Sequence, residues 1–155
     1  MTIEKLNGYG LRSIILAEDD PDDHDFFLQA VMEIDSSVKL TTVNNGEELM
    51  SLLKNFIPDI IFLDLDMPHK NGLQCIAEIR SNAPIRHIPI VIFSSTTRPS
   101  NIDTAYEMGA DLFFIKPPVY KDLVASVRAI LDLDWSQPSS IKAQYYVNGR
   151  HVAFV

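Results

Sequence analysis

Asp59-Ile60-Ile61-Phe62-Leu63-Asp64-Leu65-Asp66-Met67-Pro68 is the stretch that decides the fold of this chain. Four apolar residues run straight into an aspartate, and a proline follows four positions later. A short apolar run of this kind reads as a strand buried on both faces, as in a parallel sheet. Pro68 cannot continue a central strand, so the strand ends near Asp64. Asp64 therefore stands at a strand's carboxyl end, where open α/β sheets gather their ligands. A carboxylate held there is a metal ligand, a nucleophile or both.

The same pattern recurs on either side. Ser13 to Ala17 is an apolar run that ends in Glu18-Asp19-Asp20-Pro21, a strand, an acidic turn and a helix start. Phe27, Ala30, Val31 and Ile34 follow at helical spacing. Lys39 to Val43 is β-rich and is closed by Asn45-Gly46. Leu49, Leu52, Leu53 and Phe56 mark a second helix, ended by Pro58. Downstream of the opening stretch, Leu73, Ile76, Ala77 and Arg80 share one face of a third helix. Ile90 to Phe93 is a fourth strand ending at Ser94-Ser95-Thr96-Thr97, and a helix over Ser100 to Met108 is closed by Gly109. Leu112 to Ile115 is a fifth strand ending at Lys116-Pro117-Pro118, before a last helix carrying Leu123, Val127, Ile130 and Leu131. Repeated strand-then-helix order implies a parallel sheet with helices on both faces and right-handed crossovers. Every strand ends in polar residues, so the chemistry collects along one edge.

The remaining segments are less regular. Residues 1–12 form a polar lead-in, and residues 135–155 an extension. In the extension, Ser136-Gln137-Pro138-Ser139-Ser140 reads as a linker-like turn cluster, and Asn148-Gly149 between β-prone runs as a hairpin turn. The hairpin is expected to pack on the main domain or on a partner, because an isolated one is marginal in water. Trp135 is expected to cover the end of the last helix.

Composition narrows the function classes. At 155 residues, the chain is long enough for one domain with a full core. Cys75 is the single cysteine, so no internal disulfide can form and a cytoplasmic protein is expected. No leader and no membrane-length apolar run is visible, so no membrane partner is expected. A net charge of −8 and the lack of a basic helix-turn-helix segment argue against direct DNA binding. The histidines His24, His69, His87 and His151 show no zinc-ligand spacing. Asp20, Asp22, Asp23 and Asp25 read as helix-start charges.

Glu18, Asp19, Asp64, Ser94 and Lys116 are brought to one edge by this arrangement. Carboxylates close together raise one another's pKa unless a cation intervenes. Hard oxygen ligands suit Mg2+, which takes one or two carboxylates plus waters and a phosphate oxygen. With a lysine and a hydroxyl opposite, the set fits phosphoryl transfer to Asp64 as nucleophile.

On these motifs the chain resembles the receiver domain of bacterial two-component response regulators, of the stand-alone single-domain type. The motifs are Glu18-Asp19 after the first strand, Asp64 through Met67-Pro68 to Gly72 around the third, Ser94 after the fourth and Lys116-Pro117 after the fifth. The resemblance covers residues 13–134. It implies a flavodoxin-like (βα)5 doubly wound fold with a five-stranded parallel sheet in the order 2-1-3-4-5. By the same resemblance, Asp64 accepts a phosphoryl group from a sensor histidine kinase or phosphotransfer protein, without turnover beyond slow self-dephosphorylation. Mg2+ is held by Asp19, Asp64 and the backbone carbonyl of Asp66, with Glu18 acting mainly through water. Lys116 pairs with the phosphoryl group, and its bond to Pro117 is expected to be cis. Ser94 and Phe113 form the switch that reshapes the face for a downstream protein partner, for a homodimer or for onward phosphorelay. Asp66 and Thr96 stand where such domains vary, near the path of the hydrolytic water. The competing reading is a haloacid dehalogenase-type phosphatase, whose nucleophile signature Asp64-Leu65-Asp66 resembles. Pro68 and the upstream position of Glu18-Asp19 oppose it.

Overall fold

In a computed structural model, residues 10–155 are described; most of the lead-in lies outside them. The element order is β1 Ser13–Ala17, α1 Pro21–Ile34, β2 Lys39–Val43, α2 Gly46–Leu52, β3 Ile60–Leu63, α3 Gly72–Ser81, β4 Ile90–Ser94, α4 Pro99–Met108, β5 Leu112–Ile115 and α5 Tyr120–Leu131. A short helix α6, Pro138–Gln144, and two strands, β6 Tyr146–Val147 and β7 Arg150–His151, follow. All pairings in the main sheet are parallel, in the order β2-β1-β3-β4-β5. This is the doubly wound arrangement that the strand-helix alternation implied.

The opening stretch forms the centre of the sheet. Ile60 to Leu63 are fully buried because β3 lies between β1 and β4 and is covered on both faces. Alternate side chains divide the core in two. Ile61 and Leu63, with Ile15, Ala17, Ile90, Ile92 and Phe113, pack against Leu49 of α2, Ile76 and Ile79 of α3, and Ala105 and Tyr106 of α4. Ile60 and Phe62, with Ile14, Leu16, Val91, Phe93, Leu112 and Phe114, pack against Phe27, Val31 and Ile34 of α1 and Val127, Ile130 and Leu131 of α5. Asp59 anchors the sheet's other end: its Oδ2 accepts the amide N–H groups of Arg12 and Ser13 at 2.7 and 3.0 Å.

Local chemistry sets the helix starts. Asp20 caps α1, its side chain accepting the Asp22 N–H, with Pro21 in the first turn. Asn71 and Gln74 form a capping box at α3, with both bonds at 2.9 Å. Gly72 begins α3 because no side chain fits there. A Cβ would stand 2.4 Å from the Asp64 carbonyl oxygen and 2.8 Å from the Leu65 Cα. The spacing from Asp64 to Gly72 is thus the length of loop needed to lay α3 against the end of β3.

The extension packs on the main domain. Ser136 to Ser140 is not a simple linker, since Pro138 opens α6, whose Ile141 is buried with Trp135 in the α1–α5 half of the core. The Trp135 indole N–H donates to the Ile130 carbonyl at 2.8 Å, closing α5 as expected. β6 and β7 form the hairpin, and Asn148 and Gly149 take the positive φ values (53° and 79°) of a tight two-residue turn.

Candidate phosphoacceptor site

The carboxyl ends of β1, β3, β4 and β5 converge. Glu18 follows β1 and is 1% exposed; Asp64 follows β3 and is 5% exposed. Their backbones are tied to the sheet, since the Glu18 N–H donates to the Val43 carbonyl at 3.0 Å and the Asp64 N–H to the Ala17 carbonyl at 2.9 Å. Asp19 is exposed beside them. Carboxylate oxygens of Glu18, Asp19 and Asp64 all lie within 4.8 Å of one another.

This crowding has an electrostatic signature. Burial, with the charge of Asp64 added, pushes the Glu18 carboxyl up to about 8 from an ordinary 4.5, against the opposing bond to Lys116. Burial also raises Asp64, while Lys116 and hydrogen bonds to Glu18 and the Asp66 backbone pull it down. Two buried carboxyls held above their ordinary range next to an exposed third form an oxygen-only donor set short of positive charge. That set fits a hard divalent cation.

Lys116 supplies the site's ammonium. Its Nζ lies 2.9 Å from Glu18 Oε2 and 2.9 Å from Asp23 Oδ2, and 5.1 Å from the centre of the Phe93 ring. Burial disfavours the charged lysine, but the bonds to Glu18 and Asp23 and the fields of Asp64 and Glu18 outweigh it and raise its pKa. Asp23 belongs to this site although the sequence placed it among helix-start charges. It stands in the first turn of α1, and only the packing of α1 beside the β5 end brings it to Lys116. The His24 ring, one residue on, lies against the Glu18 carbonyl.

The hydroxyl is in place as well. Ser94 closes β4, is 1% exposed and accepts the Thr96 N–H at 3.3 Å. The Lys116 N–H donates to the Ser94 carbonyl at 2.8 Å, so hydroxyl and ammonium share one backbone link. Asp66 is exposed two residues beyond Asp64. Phe113 is fully buried on the α4 side of the sheet.

One expectation is corrected. Among the described residues no peptide bond is cis, so Lys116–Pro117 is trans. Trans is the favoured form of any X–Pro bond unless a tight turn demands otherwise. From β5 the chain passes through Pro117 and Pro118, with a bend at Pro118 and Val119, into α5.

A parallel sheet whose strand ends converge a buried aspartate, two further carboxylates, a lysine and a hydroxyl defines a protein of the aspartate-phosphorylated signalling class. The chain belongs to the response regulator receiver domain family, whose model matches residues 14–128. It is 33% identical over 92 residues to the probable transcriptional regulator ycf27 of Guillardia theta, covering 59% of this chain and 35% of the relative. The first relatives are longer proteins, of which the chain spans between about a quarter and a half. Among solved structures it resembles the phosphorylated cyanobacterial phytochrome response regulator RcpA, at 27% identity with a TM-score of 0.73 over 78% of this chain and 91% of that one. It also resembles the Mn2+-bound response regulator Rcp1, at 25% identity with a TM-score of 0.70 over 77% and 91%. The protein is accordingly a response regulator receiver of a two-component system, a signalling domain. These matches lend no support to the phosphatase alternative.

Proposed function

We propose that Asp64 is the phosphoacceptor, that Mg2+ is bound by Asp19, Asp64 and the Asp66 carbonyl with Glu18 acting through water, and that Lys116 and Ser94 stabilise the transferred group. The observation that carries this reading is the convergence of three carboxylates within 4.8 Å beside the Lys116 ammonium. A divalent ion there supplies positive charge that screens the carboxylates and withdraws charge from phosphoryl oxygens. An Asp64 carboxylate oxygen forms the new P–O bond while the P–N bond to the donor histidine breaks, its electron pair leaving with the imidazole nitrogen. Lys116 neutralises one equatorial oxygen, and the Ser94 hydroxyl donates to another. Hydrolysis of the resulting acyl phosphate is slow, so the domain works as a switch and not as a turnover catalyst.

The donor is a protein. Phe26 and Val119 are each about half exposed, and the Phe26 and Tyr120 rings lie 6.3 Å apart. A cleft of about 100 Å³ lined by Asp23, Phe26, Pro117, Pro118, Tyr120 and Leu123 opens between them. Exposed aromatic and aliphatic groups next to a charged site suit a helical protein surface better than a small acyl phosphate. The likeness to a phytochrome response regulator supports a phytochrome-class sensor histidine kinase as that donor. The phosphoryl group would bias Ser94 and Phe113 and thereby the face read by a downstream protein or a second copy, or it would be passed on in a relay. We place the protein in the cytoplasm; Cys75 is a free, buried thiol, and no described helix is long and apolar enough to cross a membrane.

Intact-mass measurement after incubation with Mg2+ and acetyl phosphate tests the reading. One acid-labile phosphoryl adduct is expected, absent in Asp64→Asn and without Mg2+. An adduct that survives in Asp64→Asn would move the acceptor elsewhere and refute the assignment.

A further inference from the structure

The residues that follow the hairpin do not simply cover the domain; they extend its sheet. Phe154 lies alongside β5 as a parallel bridge partner of Phe114. Its N–H donates to the Phe113 carbonyl at 2.7 Å, and its carbonyl accepts the Ile115 N–H at 3.2 Å. The Phe154 ring meets Phe114 edge-on, 5.8 Å between centres. The remaining outward donor, the Phe113 N–H, is taken by the Tyr106 hydroxyl at 2.9 Å, which itself donates to the Val152 carbonyl at 3.0 Å. Tyr106 is fully buried, so one hydroxyl ties α4, β5 and the segment together.

The segment is held from both ends. The Val152 N–H donates to the Tyr145 carbonyl at 2.7 Å and the His151 N–H to Asp103 Oδ1 at 3.0 Å. The His151 ring stacks on Tyr106 at 4.7 Å. Lys142 of α6 donates to the Tyr106 carbonyl at 2.7 Å, near the C-terminal end of α4. These bonds make a strap along the β5 edge of the sheet, which would otherwise carry unpaired backbone groups.

The position of this closure matters for the site. Ile115, whose N–H the strap holds, is the residue before Lys116. The next backbone donor, the Lys116 N–H, reaches Ser94. β5 is therefore pinned on one side by β4 and on the other by the strap, right up to the lysine that serves the phosphoryl group. A four-residue edge strand with one neighbour frays readily; with two it does not.

We infer that Val152–Phe154, fastened through the Tyr106 hydroxyl, are positioning residues for Lys116: strap docking and phosphoryl binding at Asp64 favour each other. This rests on the proposed role of Asp64 and Lys116. Linkage makes the coupling reciprocal: the factor by which the strap strengthens phosphoryl binding is the factor by which the phosphoryl group strengthens the strap. Couplings of this kind typically amount to about fivefold or more.

Two measurements on the full chain test it, with beryllofluoride and Mg2+ as the phosphoryl mimic. Hydrogen exchange at the Ile115 and Phe154 amides is expected to slow by about fivefold when the mimic binds. Phe154→Pro, which removes the donor to Phe113 and leaves α6 in place, is expected to weaken mimic binding by a similar factor. Deletion of residues 152–155 serves as the second variant. The exchange measurement uses the unaltered chain and stands if either variant fails to fold. Strap amides that do not respond to the bound mimic overturn the inference, even where a variant binds the mimic less well, because that loss then reflects fold stability alone. Strap protection that falls on dilution would assign the strap to a second copy and also overturn it. If the unaltered chain neither binds the mimic nor gains the Asp64 adduct, the proposed function has failed and not the strap.

Discussion

Metal-free protein should lose stability as pH rises across the neutral range, and Glu18 is the reason. Its carboxyl is pushed from 4.5 up to about 8, chiefly by burial, with Asp64 adding repulsion. Between those values the folded protein holds a proton that the unfolded chain has released. The folded state thus binds more protons, and stability falls with rising pH. The Glu18 contribution is fully present below 4.5 and is lost as pH passes through about 8. Each pH unit in that window corresponds to about 1.4 kcal/mol per proton. The side chain is 1% exposed, so solvent screens little of it. The expected loss across the window is at most a few kcal/mol, a substantial part of a small domain's stability. A divalent ion needs these carboxylates ionised, so Mg2+ should restore stability at the alkaline end and add little at the acid end. An ion at a hundredfold its dissociation constant adds about 2.7 kcal/mol. Urea melts at about pH 5 and pH 8, with chelator or with Mg2+, read both effects; Glu18→Gln should flatten the metal-free slope. Metal-free protein that is as stable at the higher pH as at the lower, or a Glu18→Gln variant with an unchanged slope, would refute the reasoning.

Two further substitutions probe the site from either side. Asp23→Asn removes one of the two carboxylates that hold the Lys116 ammonium, a group 30% exposed at the edge of the site. The freed ammonium should bind beryllofluoride two- to fivefold more tightly, about 0.5–1 kcal/mol for a partly exposed pair, and weaker binding in a titration would contradict this. Gly72→Ala puts a methyl group within 2.4 Å of the Asp64 carbonyl oxygen, a backbone atom that cannot step aside alone. The usual gain of about 1 kcal/mol for alanine in a helix should be reversed to a loss of about 1–3 kcal/mol, with Mg2+ affinity falling as the Asp64 loop shifts. A urea midpoint at or above that of the unsubstituted protein would show that the loop yields freely.

Much of the fold was legible because burial on both faces leaves a strong local trace. Ile60 to Leu63, Ile90 to Phe93 and Leu112 to Phe114 are apolar without interruption, as strands covered on two sides must be. The hairpin turn at Asn148-Gly149 acts within a few residues and is equally readable; Asp20 read only as a helix-start charge, and its cap on α1 and the Asn71 cap on α3 came from the structure. α6 was not legible: seven residues with one buried side chain, Ile141, carry too little periodicity to separate a helix from a turn cluster. Tyr106 read only as part of an apolar helix face, because the partners of its hydroxyl lie on β5 and 46 residues downstream.

The sequence by itself determined that Asp64 stands at the end of a buried strand, with Glu18, Asp19, Ser94 and Lys116 at the ends of its neighbours. Strand ends are set by local apolar runs and breakers, and parallel order carries them all to one edge. Only the tertiary structure decided what those groups touch. Lys116 reaches across to Asp23 because α1 packs beside the β5 end, and the Lys116–Pro117 bond is trans. Phe154 pairs with β5 through a single bridge because β5 is an edge of the sheet and Tyr106 holds the strap against it. Pairing between distant segments depends on which edges and helix faces the assembled domain leaves unsatisfied, and no local pattern of residues encodes that.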